Sequence, residues 1–181
     1  MQIENGQHFV LASLSPMSLT IRPYQAIDLQ SLRDLTVEAF EGVSLEHDIE
    51  RVVGEFGGHD WRWRKARHVD ADVDRDAEGI FVAEGNGAVV GYVSTWIDAE
   101  AGVGFIPNLA VAASCRGQGI GRQLLNRAIE HFRSRGVRVA RIETMAQNDV
   151  GRHLYPSLGF QEVAQQVHYC LDLGEEKNAR E

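Results

Sequence analysis

Cysteine is scarce, basic charge is outnumbered and no apolar run is long enough to cross a bilayer, and each shortage removes a class of protein. Two cysteines, Cys115 and Cys170, make neither a disulfide framework nor a zinc site. Seven histidines show no paired spacing for zinc, so no metal is expected. Lysine and arginine together number 18 against 26 acidic residues, a formal charge of -8. That balance lacks the broad basic face that nucleic-acid binding requires. No apolar stretch approaches a membrane span. The start, Met1-Gln2-Ile3-Glu4-Asn5, has no basic segment followed by an apolar one, so no secretory signal is expected. The expectation is a protein of the reducing cytoplasm, with no membrane and no nucleic acid as partner.

What is present suits one globular domain: 181 residues, 44% hydrophobic and 24% charged, enough to bury a core. Residues 1–18 have no clear period and read as an N-terminal extension, 19–173 as a single domain, and 174–181 as a frayed polar tail. Leu19 to Pro23 alternates and stops at a proline, which suits a short strand. Leu29, Leu32, Leu35, Val37, Ala39 and Phe40 approximate a helical stripe that ends near Gly42. Ser44 is placed to start a second helix carrying Leu45, Ile49, Val52, Val53 and Phe56, with Gly57-Gly58 ending it. Trp61 to His68 is a basic patch interleaved with aromatics. It reads either as a base-stacking surface or as two tryptophans burying their rings beneath solvated arginines, and the acidic chain favours the second. Asp70 to Glu78 reads as a charged linker. Runs 80–83, 89–96 and 103–112 are β-rich and separated by turn residues, as in an antiparallel meander. Ile120, Leu124, Leu125, Ala128, Ile129 and Phe132 form a strong helical stripe stopped by Gly136. A strand over 137–145, a short helix over 149–158 and one or two strands over 160–173 complete a mixed α/β domain with a central sheet.

The segment joining strand to helix carries the chemistry: Arg116-Gly117-Gln118-Gly119-Ile120-Gly121-Arg122. Glycines at alternate positions allow backbone angles closed to other residues and leave no Cβ in a ligand's way. At a helix N-terminus the unpaired N–H groups and the helix dipole favour an anion, and Arg116 and Arg122 add charge. A pyrophosphate fits. A dinucleotide fold needs G-x-G-x-x-G, one residue more than the spacing at 117, 119 and 121, and an ATPase loop needs the Gly-Lys-Ser/Thr that is missing here.

These residues resemble the R/Q-x-x-G-x-G/A signature of the GNAT superfamily of acyl-CoA-dependent N-acyltransferases. Asn148 followed by Leu154-Tyr155-Pro156-Ser157-Leu158-Gly159-Phe160 looks like that family's second signature, and Asn108-Leu109-Ala110-Val111 like its fourth strand. The resemblance spans roughly 19–172, with its specific part at 103–160. It implies a mostly antiparallel central sheet with splayed fourth and fifth strands and flanking helices. The acyl-pantetheine arm would lie in the gap along the backbone of Leu109, Ala110 and Val111, one of whose N–H groups would polarise the thioester carbonyl. The N–H groups of Gly117 to Gly121 would hold the pyrophosphate of acetyl-CoA, and the Asn148 side chain would touch the pantetheine. Tyr155 would donate a proton to the leaving thiolate.

The base is less determined. Family members often carry a glutamate on the fourth strand, yet 103–112 contains no acid. Glu143 on the fifth strand is the nearest candidate, ahead of Asp98, Glu100, His47 and His153; a strand-surface carboxylate and a water relay remain as alternatives. Cys115 as an acyl carrier is set aside, because the resemblance implies direct attack in a ternary complex. The acceptor pocket would be lined by about 40–63 and 161–168. There Glu41, Glu46, Asp48 and Glu50 could draw a cationic amine, and Trp61 and Trp63 could pack its apolar part. Three functions stay open: an acetyltransferase acting on a small-molecule amine, one acting on a peptide or protein amine, and a non-catalytic acyl-CoA sensor. Family members are often homodimers, which makes a second copy a candidate partner.

Overall fold

The computed structural model describes residues 18–174. The expected extension, apart from Ser18, and the tail beyond Gly174 lie outside them. Strand β1 (Leu19–Pro23) ends at its proline, and a single turn at Ala26–Asp28 leads into helix α1 (Leu29–Ala39). Arg22 fixes this corner: its guanidinium grips both oxygens of Asp28 at 2.8 Å and Glu84 at 2.7 Å. Helix α2 (Leu45–Val53) follows, then α3 (Trp61–Asp76), whose first turn is capped by the Asp60 side chain accepting from Trp63 N–H at 2.9 Å.

Strands β2 (Phe81–Gly85) and β3 (Ala88–Val93) are joined by Asn86-Gly87, both at positive φ (50° and 80°), the turn that suits a twisted hairpin. The chain continues through β4 (Trp96–Asp98), β5 (Val103–Ile106), β6 (Leu109–Val111), helix α4 (Ile120–Ser134), β7 (Val139–Ile142) and α5 (Asp149–Leu154). One sheet has the order β1-β2-β3-β6 and is antiparallel throughout. The other has the order β4-β5-β7, with β5 and β7 parallel.

Alternation along the strands builds two cores. Phe81 and Ala83 face α4, where Ile120, Leu124, Leu125, Ala128 and Phe132 are buried against them. Ile80 and Val82 face the opposite side, with Leu32 and Leu35 of α1, Val69 of α3 and Tyr92. Helices thus cover both faces. The Tyr92 hydroxyl is fully buried and lies 2.6 Å from Thr36 Oγ1, so its polar end is satisfied.

Four expectations are corrected. The meander is broken, because β4 and β5 leave the first sheet and only β6 returns to it. Residues 70–76 are not a linker but the second half of α3, where Val69 is fully buried on the stripe begun by Trp61 and Lys65. Helix α2 stops at Gly54 (φ 78°), short of Gly57-Gly58. Residues 161–173 form no strand: the period-two apolar pattern is present, but no strand among the described residues meets it. Val163, Val167, Tyr169, Leu171 and Leu173 are 76–94% exposed.

Candidate functional site

The sheet opens where β5 gives way to β6. β5 pairs with β7 as far as Ile106↔Ile142; beyond Pro107-Asn108 the chain turns to β3 and pairs Leu109↔Val93, Ala110↔Tyr92 and Val111↔Gly91. The family's fourth strand is therefore split here into β5 and β6. Ser94 N–H donates to Asn108 O and Ala112 N–H to Val90 O, both at 2.9 Å, so the even-numbered residues bond toward β3. Antiparallel alternation then turns the N–H and C=O of Leu109 and Val111 to the opposite, unpaired edge. Of the expected trio, Leu109 and Val111 face the gap and Ala110 faces β3. Arg116 Nε reaches back to Val111 O at 3.2 Å, which leaves the N–H groups of 109 and 111 and the carbonyl of Leu109 for a ligand strand.

The loop after β6 makes a short turn at Ala113–Cys115 and then presents its glycines for different reasons. Gly117 and Gly119 both sit at φ 77°, the left-handed region, and Gly119 is the N-cap of α4. Gly121 lies in the first turn of α4, where a Cβ would make ordinary contact with Leu154 Cδ2 at 3.4 Å and Val111 Cγ2 at 3.9 Å, so α4, α5 and β6 meet there. The first helical bond of α4 is Gln123 N–H to Gly119 O at 3.1 Å. The N–H groups of Gly117, Gln118, Gly119, Ile120, Gly121 and Arg122 have no backbone acceptor among the described residues. Arg122 is tied to Ser157 Oγ at 2.8 Å, and neither it nor Arg116 has a carboxylate partner among those residues. Between this helix end and α5 lies a groove of about 510 Å³ lined by Arg122, Asp149, Val150, His153, Leu154 and Ser157.

Asn148 caps α5: its Oδ1 accepts from Gly151 N–H at 3.1 Å and its Nδ2 donates to Thr144 Oγ1 at 2.9 Å. Both ends of the amide are therefore engaged in holding α5 to the end of β7. Tyr155 follows at the C-terminus of that helix, its ring edge-on to Phe160 at 6.2 Å. Gly151 makes room for it, since a Cβ there would lie 3.1 Å from Tyr155 Cε2. Burial raises the Tyr155 pKa above its usual value, and a hydrogen bond from Thr144 partly offsets this. The phenol accordingly keeps its proton across the neutral range.

Glu143 lies just beyond β7, exposed and paired with Arg141. The acids expected to draw a cationic amine are already engaged. Glu50 pairs with Arg64 at 2.5 Å, Glu41 with Arg62 at 3.4 Å, Asp48 with Arg51 at 3.6 Å, and Glu46 with His68 at 2.7 Å. Trp61 is buried, Trp63 is 42% exposed and stacks on His59 at 3.6 Å, and residues 161–168 line neither groove. Burial by itself pushes the Glu46 carboxyl up, but bonds from His68 and Ser44 outweigh it and hold the group at about 2. A depressed carboxylate stabilises the fold above its unfolded value, near 4.5, and the stabilisation is lost as pH falls through about 2. Glu46→Gln should therefore be less stable than the native chain above pH 4.5, with the two denaturation curves converging as pH approaches 2.

Sequence reading missed a buried polar chain behind the gap. Lys65 Nζ donates to Asn108 Oδ1 at 2.9 Å, Asn108 Nδ2 to Asp72 Oδ2 at 2.7 Å, and Ser94 Oγ to the same oxygen at 2.5 Å. Lys65 is 6% exposed with its ammonium 3.9 Å from the Phe40 ring centroid, and burial lowers its pKa. This network holds Pro107-Asn108 away from β7 and so maintains the split. The only trace of it in the sequence is an asparagine interrupting the apolar run 103–112.

A sheet parted beside a helix N-terminus rich in free N–H groups defines a site for an extended ligand with an anionic end. Residues 29–160 match the acetyltransferase (GNAT) family, and the chain belongs to that family. It is 30% identical over 140 residues to a mycothiol acetyltransferase of Thermomonospora curvata, covering 75% of this chain and 47% of that protein. It is 31% identical over 117 residues to a candidate ribosomal protein bS18 alanine N-acetyltransferase of Bacillus subtilis, covering 63% and 74%. The chain spans less than half the length of the first curated relatives it matches. The fold is similar to that of the PaiA N-acetyltransferase of Thermoplasma acidophilum, solved with coenzyme A, with a TM-score of 0.67, 21% identity and coverage of 83% and 94%.

Proposed function

We propose that this chain transfers an acetyl group from acetyl-CoA to an amine on a small molecule, by direct attack within a ternary complex. The observation that carries the reading is one continuous surface. The free edge of β6 at Leu109 and Val111 leads through Arg116 into the unpartnered N–H groups of residues 117–122. An extended amide-bearing arm would pair with that edge as an added strand, and its pyrophosphate would meet the helix end, where dipole and arginines favour it.

In this reading the N–H of Leu109 or Val111 polarises the thioester carbonyl, a contact generally worth about 3–4 kcal/mol. The acceptor nitrogen attacks the carbonyl carbon, the C–S bond breaks, and the Tyr155 phenol protonates the departing sulfur. The amine's proton leaves either to Glu143, whose carboxylate pairs with Arg141, or through a water relay to solvent. Asn148 fixes α5, and through it Tyr155, and its second amide N–H and second carbonyl lone pair would meet the pantetheine arm.

The names of the relatives point to two kinds of acceptor, one a small molecule and the other a ribosomal protein. A peptide amine is therefore the second reading. The acid-free run 103–112 favours a third, a sensor that binds acyl-CoA without turnover. Supplying acetyl-CoA with a panel of amino acids, polyamines, aminoglycosides and peptide N-termini decides among them. Free CoA should appear above the uncatalysed rate with a small amine. Release with peptides alone would move the reading to the second, and tight binding with no release from any amine to the third.

A further inference from the structure

The groove that the acetyl-CoA reading leaves unused lies along α3. It encloses about 550 Å³ and runs to Pro107-Asn108, the corner that leads directly into Leu109. Arg67 and Arg75 both line it, two helical turns apart on one side of α3, with His68, Ala71 and Asp72 lining it between them. Each guanidinium is backed by an indole: Arg67 is 4.7 Å from the Trp63 ring centroid and Arg75 is 4.6 Å from that of Trp96. Stacking fixes the guanidinium plane and leaves its edge donors free. Neither arginine has a carboxylate within ion-pair distance among the described residues, whereas Arg62, Arg64 and His68 on the same helix are all paired.

An exposed arginine is commonly just solvated. These two differ in being held by aromatic faces at opposite ends of one groove, in a chain whose charge is -8. Two oriented forks without acceptors suit a carboxylate or a phosphate. The groove's floor holds the opposite sign. Asp72 Oδ2 is taken by Ser94 and Asn108, while its Oδ1 has no hydrogen-bond partner among the described residues.

We propose that this groove is the acceptor subsite and that the stacked arginine at one of its ends, Arg67 or Arg75, holds a carboxylate or phosphate carried by the acceptor amine. Its amino end then lies at Asp72 and Asn108, next to the strand edge that takes the thioester. The acceptor class is an amine with its own anionic group. This rests on the acetyl-transfer reading only for calling the ligand an acceptor; the anion site itself stands on the groove. It also reverses the charge layout expected from the acids of α2, which their ion pairs have neutralised.

Calorimetric titration in the presence of coenzyme A, which fills the glycine loop, separates the two claims. Phosphoethanolamine and β-alanine are compared with ethanolamine, which has the amine and no anion. At least one anionic amine should bind at least tenfold more tightly than ethanolamine, about 1.4 kcal/mol. Arg67→Gln with Arg75→Gln should remove that preference while circular dichroism stays native, and Gly119→Val should retain it. A tenfold preference with no release of free CoA supports the anion site and removes only acetyl transfer. Equal binding of ethanolamine, no binding of either anionic amine, or a preference unchanged in the double variant would overturn the proposal.

Discussion

Replacing Gly119 by valine should weaken acetyl-CoA binding at least a hundredfold while leaving the fold intact. Gly119 is the N-cap of α4 at φ 77°, a region that a β-branched residue enters only with strain of about 1–2 kcal/mol. Its Cβ would meet nothing within 4 Å, so the protein itself does not resist the new side chain. The strain is relieved by rotating the peptide, and that rotation misaims the N–H groups offered to the pyrophosphate. Losing two charge-assisted bonds of ~1.5–3 kcal/mol each accounts for a factor of a hundred or more, since each 1.4 kcal/mol is tenfold. Gly136→Val is the control: φ is 69° there and nothing lies within 4 Å, but the position lies past the opposite end of the fifteen-residue α4, about 22 Å along its axis. Both variants should lose similar thermal stability, and only the first should lose affinity by calorimetry.

Tyr155→Phe should lower kcat at least tenfold with acetyl-CoA affinity changed by no more than about twofold, since a tenfold rate loss is about 1.4 kcal/mol of transition-state stabilisation. The substitution removes one oxygen and keeps the ring that packs on Phe160. A role limited to packing would leave kcat unchanged, so the split between kcat and affinity separates catalysis from structure. Because burial raises the Tyr155 pKa from 10, the phenol stays protonated through the neutral and mildly alkaline range. The native chain should therefore show little loss of kcat attributable to this group below about pH 9, one unit under the ordinary phenol value of 10. A falling limb near neutrality that Tyr155→Phe abolishes would count against the assignment.

Elements whose reason is local were readable in the sequence. The stripe on α4, the proline that stops β1 and the Asn86-Gly87 turn all specify their structure within a few residues. The glycine loop was readable for the same reason, since its backbone angles belong to the residues themselves. What escaped depends on contacts distant in sequence. The end of α3 reads as a linker because 70–76 holds four aspartates, and the contacts that fix it, Asp70 to Arg33 and Asp72 to Ser94 and Asn108, come from elsewhere in the chain. The division of the fourth strand into β5 and β6 depends on the same Asn108, held by Asp72 and Lys65. Residues 161–173 carry a strand's alternation, but pairing needs a neighbour that no strand among the described residues supplies. Ala110 was grouped with Leu109 and Val111 because its direction follows from the partner, β3, and not from its own identity.

Hydrogen–deuterium exchange of the native chain, with and without acetyl-CoA, tests most directly that the parted sheet and the glycine loop together hold the co-substrate. Amides of Leu109, Val111 and residues 117–122 have no backbone acceptor among the described residues and should all exchange more slowly when acetyl-CoA is bound, while Ala110, bonded to β3, should change little. Tight binding of acetyl-CoA with unchanged exchange at the loop and strand-edge amides would contradict it.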